Sequence, residues 1–155
     1  MEFTAQSELE TDIVGQKIFG ILPSQCVVAL IGTLGAGKTR LIQAIAKAAG
    51  IDPAGVSSPT YVLIHEYQGT VPIHHFDVYR LNNVNEFLQL GAEEYFERPG
   101  LSLIEWGDRV ESVLPREHYT IHIEILGENS RKFVLEKNGS QTSCWYSNCK
   151  QPIVF

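Results

Sequence analysis

The chain is short of several features that would tie it to particular settings. It holds only three cysteines, Cys26, Cys144 and Cys149. An odd, sparse set makes no disulfide framework. Cys26 lies in an apolar run and reads as a core filler, and Cys144 and Cys149 have no histidine cluster beside them to complete a zinc site. No stretch approaches the roughly 18 apolar residues of a membrane helix. The N-terminal run MEFTAQSELETD is polar and acidic and has neither the basic start nor the apolar centre of a signal peptide. Together these lead to the expectation of a reducing, cytoplasmic setting. Positive charge is scarce as well: 12 Lys and Arg stand against 18 Asp and Glu, a net charge of −6. Holding a phosphate backbone takes concentrated Lys and Arg, so the chain is not expected to grip nucleic acid unaided, although a local basic patch stays open. Internal repeats and low-complexity linkers are missing too.

What is present is ordinary globular material. With 44% apolar and 19% charged residues over 155 positions, whole-chain disorder is excluded and one domain is expected across residues 1–155. Ser7 followed by Glu10 is a capping-box pattern and predicts a helix from about Ser7 to Gly20, ended by Leu22-Pro23. Cys26 to Ile31 is a continuous apolar run of the kind a fully buried strand shows. A glycine-rich loop follows, then Lys38 to Ala49, where Leu41, Ile42, Ile45 and Ala49 recur at helical spacing before Gly50. Val56 to Tyr61 reads as a loop because Pro59 interrupts any ladder. Val62–Tyr67 and Val71–Tyr79 read as a hairpin turned at Gln68-Gly69-Thr70, and Tyr119–Leu126 with Lys132–Glu136 as a second. Asn82 to Phe96 is helical in pattern with a break at Gly91, and Leu101–Trp106 is another buried strand. Beyond Lys137 the pattern fades, and the role of the tail over 140–155 cannot be read. The expected fold class is α/β: a mixed sheet, parallel at its centre with antiparallel edge hairpins, and helices on both faces.

One motif carries chemistry. Gly32-Thr33-Leu34-Gly35-Ala36-Gly37-Lys38-Thr39 fits G-x-x-x-x-G-K-[ST] at every fixed position, between a buried strand and an amphipathic helix. Glycines let the backbone curl round a phosphate with its N–H groups inward, and the helix adds its positive end. Lys38 supplies a charge for the β- and γ-phosphates, and the Thr39 hydroxyl a ligand for Mg²⁺. Such a site needs an acid at the end of a neighbouring buried strand. Glu105, closing LSLIE, is the metal candidate, directly or through water. Asp77, in IHHFDVY, is the candidate for positioning or deprotonating a water. Trp106 has two readings. If the strand runs on, alternation turns it into the core; if the strand ends at Glu105, it lies over the site. Ser58-Pro59-Thr60 is a rigid hydroxyl-rich loop, either a plain turn or a γ-phosphate sensor. His74 and His75 are adjacent, so a strand sends them to opposite faces. With His65 they match no zinc spacing and read as structural or edge residues.

GTLGAGKT, SSPTYVLIHEY, HHFDVYRL, LGAEEYF and LIEWGDRVESVLP, in this order, resemble the TsaE (YjeE) family over about Thr11 to Arg131. These are small bacterial P-loop ATPases required for threonylcarbamoyladenosine modification of tRNA. The resemblance implies an Mg²⁺-dependent protein that binds and slowly hydrolyses ATP and acts with the partners TsaB and TsaD. TsaD would perform the transfer to adenosine 37, and hydrolysis would reset the complex. The tRNA would then be met only indirectly, through the partners. It further implies that Leu34, Gly35, Ala36, Gly37, Lys38 and Thr39 hold the phosphates, that Thr39 and Glu105 hold the metal, and that Asp77, Glu105 and Trp106 are needed for catalysis. Thr11, four residues before Gly15, resembles an element near the nucleotide base, and Arg131 an arginine that approaches the nucleotide. Two positions depart from the pattern. Thr33 stands where the family usually has Asp. Arg40 stands where it has Ser or Thr, and either replaces that α-phosphate contact by charge or points away.

Two other readings share the P-loop. A small-molecule kinase would need clustered arginines to clamp its substrates, whereas the six present (Arg40, Arg80, Arg98, Arg109, Arg116, Arg131) are scattered. A nucleotide-dependent switch would use Ser58-Pro59-Thr60 and Trp106 to report the bound nucleotide without needing hydrolysis.

Overall fold

The computed structural model describes residues 1–139; the tail from Ser140, with Cys144 and Cys149, lies outside the described residues. The chain starts with a short strand, β1 (Glu2–Ala5), and then helix α1 (Glu8–Ile21). Ser7 caps α1 as its spacing predicts: its hydroxyl accepts the Glu10 N–H at 3.2 Å, and the Glu10 carboxylate accepts the Gln6 N–H at 2.8 Å. The helix ends at Leu22, which turns extended ahead of Pro23. Strand β2 (Gln25–Ile31) feeds the glycine loop, and α2 (Lys38–Ala48) leaves it. The two helices lie close because of Gly15, where a Cβ would stand 2.4 Å from that of Ala44.

The middle of the chain is more broken than its hydrophobic pattern predicts. Strands β3 (Ile64–Tyr67) and β4 (Ile73–Asp77) pair antiparallel, each shorter than expected. Leu63 takes a left-handed conformation (φ 75°) and its N–H bonds back to the Pro59 carbonyl, which keeps Val62 and Leu63 out of the strand. Helices α3 (Val84–Gln89) and α4 (Ala92–Glu97) are separated at Gly91, which has φ 76°. Strand β5 (Gly100–Glu105) is buried along its whole length. A 3-10 segment over Gly107–Val113 follows, and then the hairpin of β6 (His118–Ile125) and β7 (Arg131–Asn138).

The seven strands form one sheet in the order β1-β7-β6-β2-β5-β4-β3. Strand β2 runs parallel to both β5 and β6, and β5 parallel to β4, while the outer pairs are antiparallel. This is the mixed sheet expected. Its two faces carry separate cores. Val28, Leu30, Leu101 and Leu103 meet Ile18, Leu41, Ile42 and Ile45 of α1 and α2. On the opposite face Val27, Phe76 and Ile104 meet Phe87, Ala92 and Val110 from α3, α4 and the 3-10 segment. Helices therefore cover both faces. Glu105 and Asp77 end β5 and β4 side by side, level with Leu30, one residue short of the end of β2, so three parallel strands deliver their loops to one edge of the sheet. That edge is where open α/β sheets place ligand sites. No helix among the described residues is long and apolar enough to cross a membrane.

Candidate functional site

The glycine loop takes the shape its composition permits. Gly35 and Gly37 have φ values of 76° and 101°, in the left-handed region that favours glycine, and a Cβ at Gly35 would meet nothing within 4 Å. Gly32 is needed for a different reason: a Cβ there would come within 2.9 Å of both Ala36 and the Ile123 carbonyl. Lys38 is buried at the start of α2, and its ammonium donates to the Gly32 and Thr33 carbonyls at 2.8 and 3.0 Å. Burial pushes the Lys38 ammonium below its ordinary value, against the pull of Glu105, Asp77 and Asp108.

Across the loop, Thr39 donates its hydroxyl to Glu105 Oε1 at 2.6 Å. Glu105 is 4% exposed and Asp77, beside it on β4, is also 4% exposed. Such burial of carboxylates demands partners. Asp77 has three: Ser58 and Thr60 give their hydroxyls to Oδ2, the latter at 3.0 Å, and the Tyr79 N–H meets Oδ1 at 2.9 Å. The Ser58-Pro59-Thr60 loop is thus fastened to the end of β4, and Asp77 is its anchor.

Trp106 settles between its two readings by backbone geometry. Strand β5 ends at Glu105, and Trp106 takes φ 61°, a left-handed conformation uncommon for a bulky residue. Its ring lies 3.6 Å from the Lys38 ammonium and stacks at 4.9 Å on Tyr79. Lys38, Thr39, Ser58, Thr60, Asp77, Tyr79, Glu105 and Trp106 line one cavity of about 420 Å³ with Leu34, Gly35, Gly37 and Arg40.

A second cavity of about 240 Å³ opens on the other side of the loop, lined by Ser7, Thr11, Ala36, Gly37, Arg40, Arg131 and Phe133 among others. Thr11 is buried there and donates to the Ser7 carbonyl. Arg131, at the start of β7, donates to the Ala36 carbonyl at 2.9 Å and reaches the Gly35 carbonyl at 3.4 Å, bracing the loop from behind. Arg40 borders both cavities, yet its guanidinium turns to α1, donating to the Glu8 carbonyl at 2.8 Å and to Asp12 at 2.6 Å. Of its two readings the structure holds the second. Burial raises the Asp12 carboxyl, but hydrogen bonds from Lys47 and Arg40 outweigh that and hold it below the usual range.

The structure thus brings Lys38, Thr39, Asp77, Glu105 and Trp106 into one cavity and gathers Thr11 and Arg131 about the other. Sequence reasoning missed His75. The adjacent histidines read as structural or edge residues, and the structure shows His75 fully buried with Nε2 at 2.8 Å from Glu105 Oε1. The alternation of β4 puts His75 and Asp77 on one face, but the contact with Glu105 follows only from the pairing of β4 with β5. His74 turns to the other face against Tyr95, and His65 meets the Tyr67 hydroxyl.

Comparison with known proteins points to one family. The family model described as "Threonylcarbamoyl adenosine biosynthesis protein TsaE" matches residues 5–133. The tRNA threonylcarbamoyladenosine biosynthesis protein TsaE of Treponema pallidum is 35% identical over 135 residues, covering 87% of this chain and 99% of that protein. Its Bacillus subtilis namesake is 39% identical over 116 residues, covering 74% of this chain and 72% of that protein. A crystal structure of Bacillus subtilis YdiB aligns with a TM-score of 0.73 at 28% identity, over 97% of this chain and 91% of that one. Sequence pattern and sheet topology therefore lead to the same place: the chain belongs to the TsaE family of threonylcarbamoyl adenosine biosynthesis proteins.

Proposed function

We propose that this protein binds Mg-ATP at its glycine loop and hydrolyses it slowly. It would serve, with TsaB- and TsaD-like partners in the cytoplasm, the formation of threonylcarbamoyladenosine at adenosine 37 of tRNA. The observation that carries this reading is the pairing of Thr39 with Glu105 at 2.6 Å, facing Lys38 across an open glycine loop. The residues suit the groups they would hold. The space at Gly35 lets a phosphate approach the backbone, and the loop and first turn of α2 supply N–H donors. A hydroxyl and a carboxylate are hard oxygen ligands. That suits Mg²⁺, which takes one or two protein oxygens and completes its shell with phosphate and water. The metal, when bound, supplies neutralising charge for the phosphates.

The remaining work falls to the chain. Lys38 exchanges the Gly32 and Thr33 carbonyls for phosphate oxygens and neutralises charge in phosphoryl transfer. Trp106 keeps the ammonium in place over its ring. Asp77 positions: its carboxylate orders Ser58 and Thr60 at the cavity wall through Oδ2, while Oδ1 accepts the Tyr79 N–H. Thr11 and Arg131 would border the nucleoside. With a net charge of −6, tRNA would be gripped by the partners. A small-molecule kinase is less well supported, because the arginines near the loop are engaged structurally: Arg40 with α1, Arg109 with the Tyr79 and Leu81 carbonyls, Arg131 with the loop itself.

The test is the ATP hydrolysis rate of the purified chain with and without its cognate TsaB- and TsaD-like pair. The expected result is slow turnover that rises on adding the pair and is lost in Lys38→Ala. Unchanged ATP binding in Lys38→Ala, or phosphate transfer to a metabolite pool, would overturn the reading.

A further inference from the structure

His75 is fully buried, and one of its nitrogens meets the site while the other has no hydrogen-bond partner among the described residues. Nε2 lies 2.8 Å from Glu105 Oε1, the same oxygen that accepts the Thr39 hydroxyl at 2.6 Å. A carboxylate only accepts, so the proton sits on Nε2. Nδ1 has no hydrogen-bond partner among the described residues. In a position that served packing alone, an apolar side chain would fill the space without leaving a ring nitrogen unpaired. The strand geometry gives a reason for histidine instead. His75 and Glu105 lie on neighbouring parallel strands, offset by two positions, and face α2 together. A long flexible carboxylate at a strand end has several rotamers, and a rigid donor from the adjacent strand selects one.

We propose that His75 is a positioning residue for Glu105. By donating to Oε1 it holds the carboxylate beside the Thr39 hydroxyl and leaves Oε2 to the metal or to a water on it. Residues that hydrogen-bond a metal-ligating group in this way typically change metal affinity about 10–100-fold when removed. The inference rests on the Mg-ATP reading above and assigns His75 to the metal side of that site.

The experiment measures the affinity of the full chain for a fluorescent ADP analogue, once in chelator and once in saturating Mg²⁺. The ratio of the two affinities reports how well the protein holds the metal. His75→Leu is expected to cut that ratio about tenfold, with the loss confined to the Mg²⁺ measurement. His75→Gln, whose amide nitrogen reaches close to the Nε2 position, is expected to restore most of it, and His75→Asn, which is too short, is not. A folded His75→Leu chain with the wild-type ratio would overturn the proposal. So would equal ratios for Gln and Asn, a comparison that stands even if the Leu variant does not fold. Wild-type protein that binds the analogue but gains nothing from Mg²⁺ would remove the metal assignment and this inference with it. Wild-type protein that does not bind at all would instead remove the nucleotide reading.

Discussion

The two faces of the β4–β5 pair are built from the same two strands and do opposite things. On one face Phe76 and Ile104 sit fully buried among Phe87, Ala92 and the aromatic edges of Tyr95 and Phe96. On the other, one residue along each strand, His75, Asp77 and Glu105 are equally buried but polar, facing the first turn of α2 and the Ser58-Pro59-Thr60 loop. The first face is held by area removed from water. The carboxylates that end the second are tolerated because each has found hydroxyl, imidazole or N–H donors. The polar groups occupy only the strand ends: further back on that same face Ile73, Leu101 and Leu103 join the core under α1 and α2, so the site is supported from both sides of the sheet.

Substitutions can break this contrast directly. The largest effect is expected on the apolar face. Phe76→Ala should lower the unfolding free energy by about 3–5 kcal/mol, measured by urea denaturation. A loss below about 1 kcal/mol would mean that this face is not the support it looks to be. On the polar face Glu105→Gln keeps the volume and removes the buried charge. It should leave the urea midpoint near wild type or higher while cutting the ATPase rate about 10–100-fold. A parallel fall in stability would erase the distinction between the faces.

Trp106 belongs to both, since its ring packs on the Phe76 side and reaches Lys38 on the other. The cation–π contact should appear as a coupling of about 0.5–2 kcal/mol in a double-mutant cycle of Trp106→Leu with Lys38→Met; strict additivity would leave Trp106 as packing only. The smallest effect concerns His74, which lies buried opposite Ser102 on the apolar face. Burial pushes its pKa below the ordinary 6.5. The unfolded chain therefore binds the proton first as pH falls, so His74 contributes full stability above about pH 6.5 and loses it below, down to its folded pKa. His74→Phe should flatten the stability profile between about pH 7 and 5, followed by thermal melts.

Much of this architecture was legible because the signals were local. The Ser7 cap, the apolar run of β2, the glycine loop and the helical spacing of α2 are each readable within a dozen residues, and all recur in the structure. The elements that escaped depend on distant partners. Strand β1 has one buried residue, Ala5, and is held by pairing with β7 at the far end of the described chain. The shortened β3 follows from Leu63 bonding back to Pro59, and the 3-10 segment after Trp106 from a left-handed residue that nothing in its type requires. At the site, residue types announced Lys38, Thr39, Asp77 and Glu105. The burial of His75 against Glu105 could be found only once β4 and β5 were known to be neighbours.

The sequence alone determined the glycine loop, because its glycines and flanking periodicity are properties of consecutive residues, and with it the α/β class and the family. Tertiary structure decided where Trp106, Arg40 and Asp77 act. Trp106 turns over Lys38 because β5 stops one residue earlier. Arg40 turns to Asp12 because Gly15 brings α1 against α2. Asp77 is the anchor of a loop because β4 ends where Ser58 and Thr60 arrive. Each depends on which groups compete for a charge in space, and no pattern along the chain records that competition.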